Sequence, residues 1–119
     1  MDHARIAIFE DSELLQDNLA TILGLEKHRI VAQATTMEAA ENTIDTLPEA
    51  SVDIAIVDGN LSPGAYGCAE GVRITGLLHE KFKSVTVIGY SGERDIEGAD
   101  IQFGKLKSIL ELVGIIRDL

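Results

Sequence analysis

Short apolar runs alternate along this chain with stretches of helical spacing. Residues 5–9 read as a buried strand. Leu15, Leu19 and Ile22 then recur at helical intervals behind Asp11-Ser12, which supply an N-cap. Gly24 is expected to stop that helix. Residues 28–34 form a second strand. Thr35-x-x-Glu38 is a capping box, with Met37, Ala40, Ile44 and Leu47 as the apolar stripe behind it, and Pro48 ends the element. Residues 52–57 are the most continuous apolar run and lead into Asp58. A loop containing glycine and proline, residues 59–67, precedes a helix over 70–82 with Ile74, Leu77 and Leu78 inward. Residues 84–90 make a fourth strand and residues 101–103 a short fifth. The last helix is expected from near Lys105, with Leu106, Ile109, Leu110, Val113 and Ile116 on one face.

Strands that are apolar on both faces and separated by helices indicate a parallel sheet covered on both sides. Right-handed crossovers then restrict the topology to a few doubly wound α/β orders. A chain of 119 residues fits one domain, and the expectation is a single unit over 1–119.

Composition narrows the function. Hydrophobic residues make up 45% and aromatics only 4%, so a core of Ile, Leu, Val and Ala is expected. The formal net charge is 10 − 20 = −10. An acidic domain without a basic cluster is a poor binder of nucleic acid. It suits a basic partner or a metal cation instead. A single cysteine, Cys68, excludes an internal disulfide and agrees with a cytoplasmic location. No apolar stretch is long enough to cross a membrane as a helix. Cys68 is expected in a loop, and His3, His28 and His79 on the surface, without metal-ligand spacing.

In doubly wound sheets the residues that carry chemistry gather at the C-terminal ends of the strands. Here those ends supply Glu10-Asp11, Asp58, Ser91 and Lys105. Taken singly, Glu10-Asp11 could be helix N-terminal acids and Ser91-Gly92 an ordinary turn. Lys105 at a helix start is slightly unfavourable, so its placement favours a site. Three converging carboxylates repel unless a cation compensates them, and hard oxygens suit Mg²⁺. Carboxylates, a divalent cation, a lysine and a hydroxyl together suit a transferring phosphoryl group, with Asp58 as nucleophile.

These positions, over essentially the whole chain, resemble the five-residue signature of the receiver domains of two-component response regulators. Gly98-Ala99-Asp100, leading towards Lys105, resembles that family's approach to its lysine. The resemblance implies a flavodoxin-like five-stranded sheet of order 2-1-3-4-5. It implies Mg²⁺ (or Mn²⁺) held by Glu10, Asp11, Asp58 and the backbone carbonyl of Asn60, and Ser91 and Lys105 on the phosphoryl oxygens. The implied partners are a sensor histidine kinase or a histidine phosphotransfer protein, and an output partner that the sequence does not specify. A monomer or weak dimer is expected.

The sequence also departs from the family. Only 14 positions separate Ser91 from Lys105, so the fourth helix must be shortened or lost. Three places before the lysine, where the family often has an aromatic switch residue, stands Gln102. Phe103 is adjacent but points to the other face. Leu106 stands where proline is usual. Asn60 and Glu93 flank the acceptor, and Gly59 and Gly92 are expected to leave it open, which predicts an acyl phosphate lasting minutes or less. Two alternatives stay open: an unswitched pseudo-receiver interaction module, and a small phosphatase forming an aspartyl phosphate, to which Asp58-x-Asn60 bears a faint likeness.

Overall fold

The computed structural model describes residues 1–119. Its elements are β1 (Arg5–Phe9), α1 (Glu13–Leu25), β2 (Arg29–Ala34), α2 (Met37–Thr46), β3 (Ile54–Asp58), α3 (Ala69–Lys81), β4 (Thr86–Ser91), β5 (Ile101–Gly104) and α4 (Ile109–Asp118). The strands form one parallel sheet in the order β2-β1-β3-β4-β5. The sheet order implied by the resemblance is the one observed.

Alternation along the strands explains the continuous apolar runs. On β1 and β3, Ala7, Phe9, Ala55 and Val57 face one core with Ile74, Leu78 and Phe82. Ile6, Ile8, Ile54 and Ile56 face the other, with Leu19, Leu23, Leu112 and Ile116. Every residue of β3 is buried. A strand covered on both faces has no solvated side, so no polar alternation is left to see. No helix is long and apolar enough to cross a membrane.

Several boundaries move for local reasons. Thr36, not Thr35, caps α2: its backbone is extended and its Oγ1 accepts the Ala39 N–H at 3.1 Å. Gly24 does not stop α1, which continues through Leu25. The reversal comes at Lys27, with φ of 70°. The buried stripe of α1 is Gln16, Leu19 and Leu23. The last helix starts at Ile109, because Ser108 caps it by accepting the Leu110 N–H at 3.1 Å. Lys105 therefore stands in the turn before the helix and is free to reach back over the sheet. His28 is buried and accepts the Ala4 N–H on Nδ1 at 3.0 Å, so it is not a surface residue. Cys68 is also buried and stands at the start of α3.

Between β4 and β5 no helix forms. Residues 92–100 run as bends and turns, so the fourth helix of the expected pattern is absent. The element called α4 here is the last one of the chain.

Candidate functional site

Parallel register brings the polar strand ends to one edge. Asp58 ends β3 opposite Tyr90, and Ser91 ends β4 opposite Gly104. Glu10 follows β1 directly, and Lys105 follows β5. The turn after β1 is braced by Gln16, whose Nε2 donates to Ala34 O at 2.9 Å and lies 3.4 Å from Ile8 O and Glu10 O. Sequence reasoning missed Gln16. Its signal was a buried amide at helical spacing from Leu19 and Leu23.

Lys105 is the centre of the arrangement. Its ammonium lies 3.0 Å from Glu10 Oε1, 3.0 Å from Glu10 Oε2 and 3.1 Å from Asp58 Oδ1. Glu10 is 1% exposed and Asp58 5%, while Asp11 is open to solvent. Ligand oxygens of Glu10, Asp11 and Asp58 all lie within 4.8 Å of one another. One ammonium thus pairs with two carboxylates, and the third, on Asp11, stands beside them without that partner.

The titration of these groups follows. Burial pushes Glu10 up to about 7; the Asp58 charge adds to this, and Lys105 and the Ser12 N–H only partly offset it. Burial and then the Asp11 carboxyl raise Asp58 against the pull of Lys105. Burial alone would lower Lys105, but its contacts with Glu10 and Asp58 outweigh that and raise it. Glu10 Oε2 is buried with no hydrogen-bond donor aligned on it, despite the nearby ammonium. Three clustered carboxylates, one of them open to solvent, fit a hard divalent cation.

Ser91 Oγ accepts the Glu93 N–H at 3.1 Å and lies 3.5 Å from Cys68 Sγ. Either the hydroxyl or the thiol donates in that second contact. Asn60 is committed through its side chain: Nδ2 donates to Glu93 Oε2 at 2.6 Å, and Oδ1 accepts the Cys68 N–H at 3.1 Å. Gly67 N–H also donates to Glu93 Oε2, at 3.2 Å. Glu93 therefore ties the loop after β3 to the loop after β4.

The loop after β3 is closely packed. Gly59 does not open the site: a Cβ there would fall 2.4 Å from Cys68 Sγ, so the thiol covers it. This removes one of the two openings behind the expected short acyl phosphate lifetime. Gly71 packs equally tightly, with its N–H on Gly59 O at 2.8 Å; a Cβ there would fall 2.7 Å from Asp58 O. Glu70 accepts the N–H groups of Leu61 and Ser62, each at 2.9 Å, and the Ser62 hydroxyl at 2.5 Å. Burial would raise Glu70, but these donors outweigh it and lower its pKa. Gly71 and Glu70 shape the acceptor loop, and their sequence context gave no sign of it.

Behind the site, Tyr90 is buried and stacks on Phe103 with ring centroids 5.9 Å apart. The Lys105 ammonium lies 5.6 Å from the Tyr90 ring centre. Phe103 thus faces the core, and Gln102 the opposite side, as strand alternation required.

No family model matches the chain, and no curated protein matches it. Solved structures do resemble it. A CheY-like response regulator receiver domain protein from Methanospirillum hungatei is 21% identical, with a TM-score of 0.80 over 98% of this chain and 92% of that one. The response regulator TrrA from Thermotoga maritima, solved with Mg²⁺ and BeF, is 20% identical, with a TM-score of 0.77 over 97% of each chain. NtrX from Brucella abortus, solved with ADP, is 19% identical with a TM-score of 0.75; the match covers 98% of this chain but 26% of NtrX. The chain thus spans about a quarter of that larger protein. At these identities the likeness establishes the fold: the chain has the receiver fold.

Proposed function

We propose that this domain is a phosphoacceptor of two-component signalling, in which Asp58 takes a phosphoryl group from a phosphohistidine of a sensor kinase or phosphotransfer protein. The observation that carries this reading is the Lys105 ammonium held between buried Glu10 and Asp58, beside a third carboxylate, at the strand edge of a receiver fold. A structural ion pair needs two partners; this one gathers an excess of carboxylates that protons relieve only in part near neutral pH and that a divalent cation would balance.

Glu10, Asp11, Asp58 and the backbone carbonyl of Asn60 are the groups proposed to hold Mg²⁺ or Mn²⁺. When bound, the cation neutralises carboxylate repulsion and draws negative charge from the phosphoryl oxygens. The chain's own residues do the rest. One Asp58 oxygen attacks phosphorus; the O–P bond forms as the donor's P–N bond breaks, and the leaving imidazole keeps the electron pair. Lys105 exchanges part of its contact with Asp58 for a phosphoryl oxygen. The Ser91 hydroxyl donates its proton to another.

In this reading the domain is a stoichiometric acceptor whose acyl phosphate later hydrolyses and restores the Asp58 carboxylate, and not a turnover enzyme. Its partners are a cytoplasmic histidine-based donor and an output partner that senses the phosphorylated form. Incubation with acetyl phosphate and Mg²⁺, read by intact mass, tests the reading. A gain of about 80 Da that is absent from Asp58→Ala supports it. An unchanged mass under fast quenching, with a histidine donor also tried, contradicts it and favours an unswitched interaction module.

A further inference from the structure

The segment that joins β4 to β5 divides into two unequal halves. Residues 92–95 are all exposed. Through side chains they are tied down at Glu93, whose carboxylate accepts from Asn60 Nδ2, the Gly67 N–H and, weakly, the Cys68 thiol, and at Arg94, whose carbonyl lies 3.7 Å from Cys68 Sγ. The Glu93 N–H donates to Ser91 Oγ. The bonds of Glu93 to Asn60, Gly67 and Ser91 are solvent-exposed and the thiol contacts are weak, so each is of small net strength.

Residues 96–100 are fixed differently. Gln102 Oε1 accepts the Ile96 N–H at 2.9 Å, and Gln102 Nε2 donates to Ile96 O at 2.7 Å. One side-chain amide thereby satisfies both backbone groups of one residue, as a neighbouring strand would. Ile96 itself is 0% exposed. β4 carries Gly89 where the amide crosses it: a Cβ there would fall 2.7 Å from Gln102 Oε1 and 3.2 Å from Ile96 Cβ. A second staple holds the far end. Asp100 N–H donates to Val87 O at 2.9 Å, and Asp100 Oδ2 accepts the Val87 N–H at 2.7 Å beside His79 Nε2 at 2.8 Å.

We infer that Gln102 is a positioning residue, whose amide clamps Ile96 so that any response to a phosphoryl group at Asp58 stops at residue 95. The inference rests on the phosphoacceptor reading above. For Ser91 to turn towards a phosphoryl oxygen, the exposed Glu93 bonds and the weak thiol contacts of Cys68 with Ser91 Oγ and Arg94 O must give way. Moving residue 96 requires both amide bonds to break together and a buried isoleucine to leave its contacts. The mechanical boundary therefore lies between Asp95 and Ile96, and the surface that changes is the short exposed stretch 92–95 with the neighbouring turn 104–107. A hollow of about 290 Å³ lies between them, lined in part by Arg94, Lys105 and Lys107.

Backbone amide NMR of the full chain, with and without beryllofluoride and Mg²⁺ as a phosphoryl stand-in, tests this. In the unmodified protein, shifts are expected at Asp58, Ser91, residues 92–95 and Lys105, and not at residues 96–102. In Gln102→Met, which keeps the side-chain length without the amide, the shifts spread through 96–100. There the Ile96 N–H also exchanges with solvent about tenfold faster. Gln102→Glu keeps the acceptor but loses the donor, and falls between the two. Spread through 96–100 in the unmodified protein overturns the inference without needing any variant. A response in Gln102→Met that stays confined overturns it as well. A protected Ile96 N–H with no response at Asp58, Ser91 or Lys105 overturns the phosphoacceptor reading itself, and the inference with it.

Discussion

Lys105 and Glu10 meet at 3.0 Å although 95 positions separate them in the chain. The contact links the ends of β1 and β5 across β3 and β4. It also sets the electrostatic problem that the rest of the site shares, because the same ammonium serves Asp58.

Glu10 makes that problem measurable by pH. Its carboxyl lies at about 7 in the fold, against an ordinary value of 4.5, chiefly through burial and then the Asp58 charge. A folded value above the unfolded one gives stability that is fully present below the unfolded value and lost as pH rises through the folded one. In metal-free buffer, denaturant stability is therefore expected to fall between about pH 4.5 and pH 8. Glu10→Gln should flatten that fall and be the more stable form at pH 8. Mg²⁺ should raise the stability of the unmodified protein at pH 8, because it binds only the folded site. Equilibrium urea curves across that range, with and without Mg²⁺, check all three outcomes.

The packing of α3 against the acceptor strand gives a paired prediction. Gly71→Ala would place a methyl 2.7 Å from Asp58 O and 2.8 Å from Gly59 Cα, so backbone must move. A loss of about 1–3 kcal/mol is expected. Gly76, on the exposed side of the same helix, has nothing within 4 Å of its ideal Cβ. Gly76→Ala should gain about 0.5–1 kcal/mol from helix propensity. Thermal melts of the two variants should shift in opposite directions, and a common sign would refute the packing account.

Thr75 supplies a third test. Its hydroxyl is buried with no hydrogen-bond partner. Thr75→Val keeps the branched shape and removes the unpaired group. A gain of about 1 kcal/mol is expected, measured by chemical denaturation. A clear loss would mean that the hydroxyl has a partner in solution.

The sequence carried the sheet and the edge more clearly than the details of either. The apolar runs read at residues 5–9 and 52–57 marked strands buried on both faces, and the strand ends marked Glu10, Asp11, Asp58, Ser91 and Lys105. The strand order came from the resemblance, because periodicity carries no information on neighbours. Thr35 and Thr36 present nearly the same capping pattern, and only the backbone decides between them. Lys105 lay on an apolar periodicity that continued into the last helix, and the better cap at Ser108 overrode it. Gln16, Glu70, Gly71 and Gln102 act through partners between 6 and 18 residues away, or across the sheet, so local pattern could not show their roles. The short spacing from Ser91 to Lys105 did announce the missing helix, but not the amide clamp that replaces it.

The central claim is that Asp58 becomes an acyl phosphate, and one measurement addresses that bond directly. The protein is incubated with acetyl phosphate and Mg²⁺, treated with borohydride, digested and sequenced by mass spectrometry. An acyl phosphate is reduced where an ordinary carboxylate is not, so the account predicts homoserine at position 58 and nowhere else. Reduction that appears at Asp11 or Glu10 instead, or at no carboxylate, would contradict it.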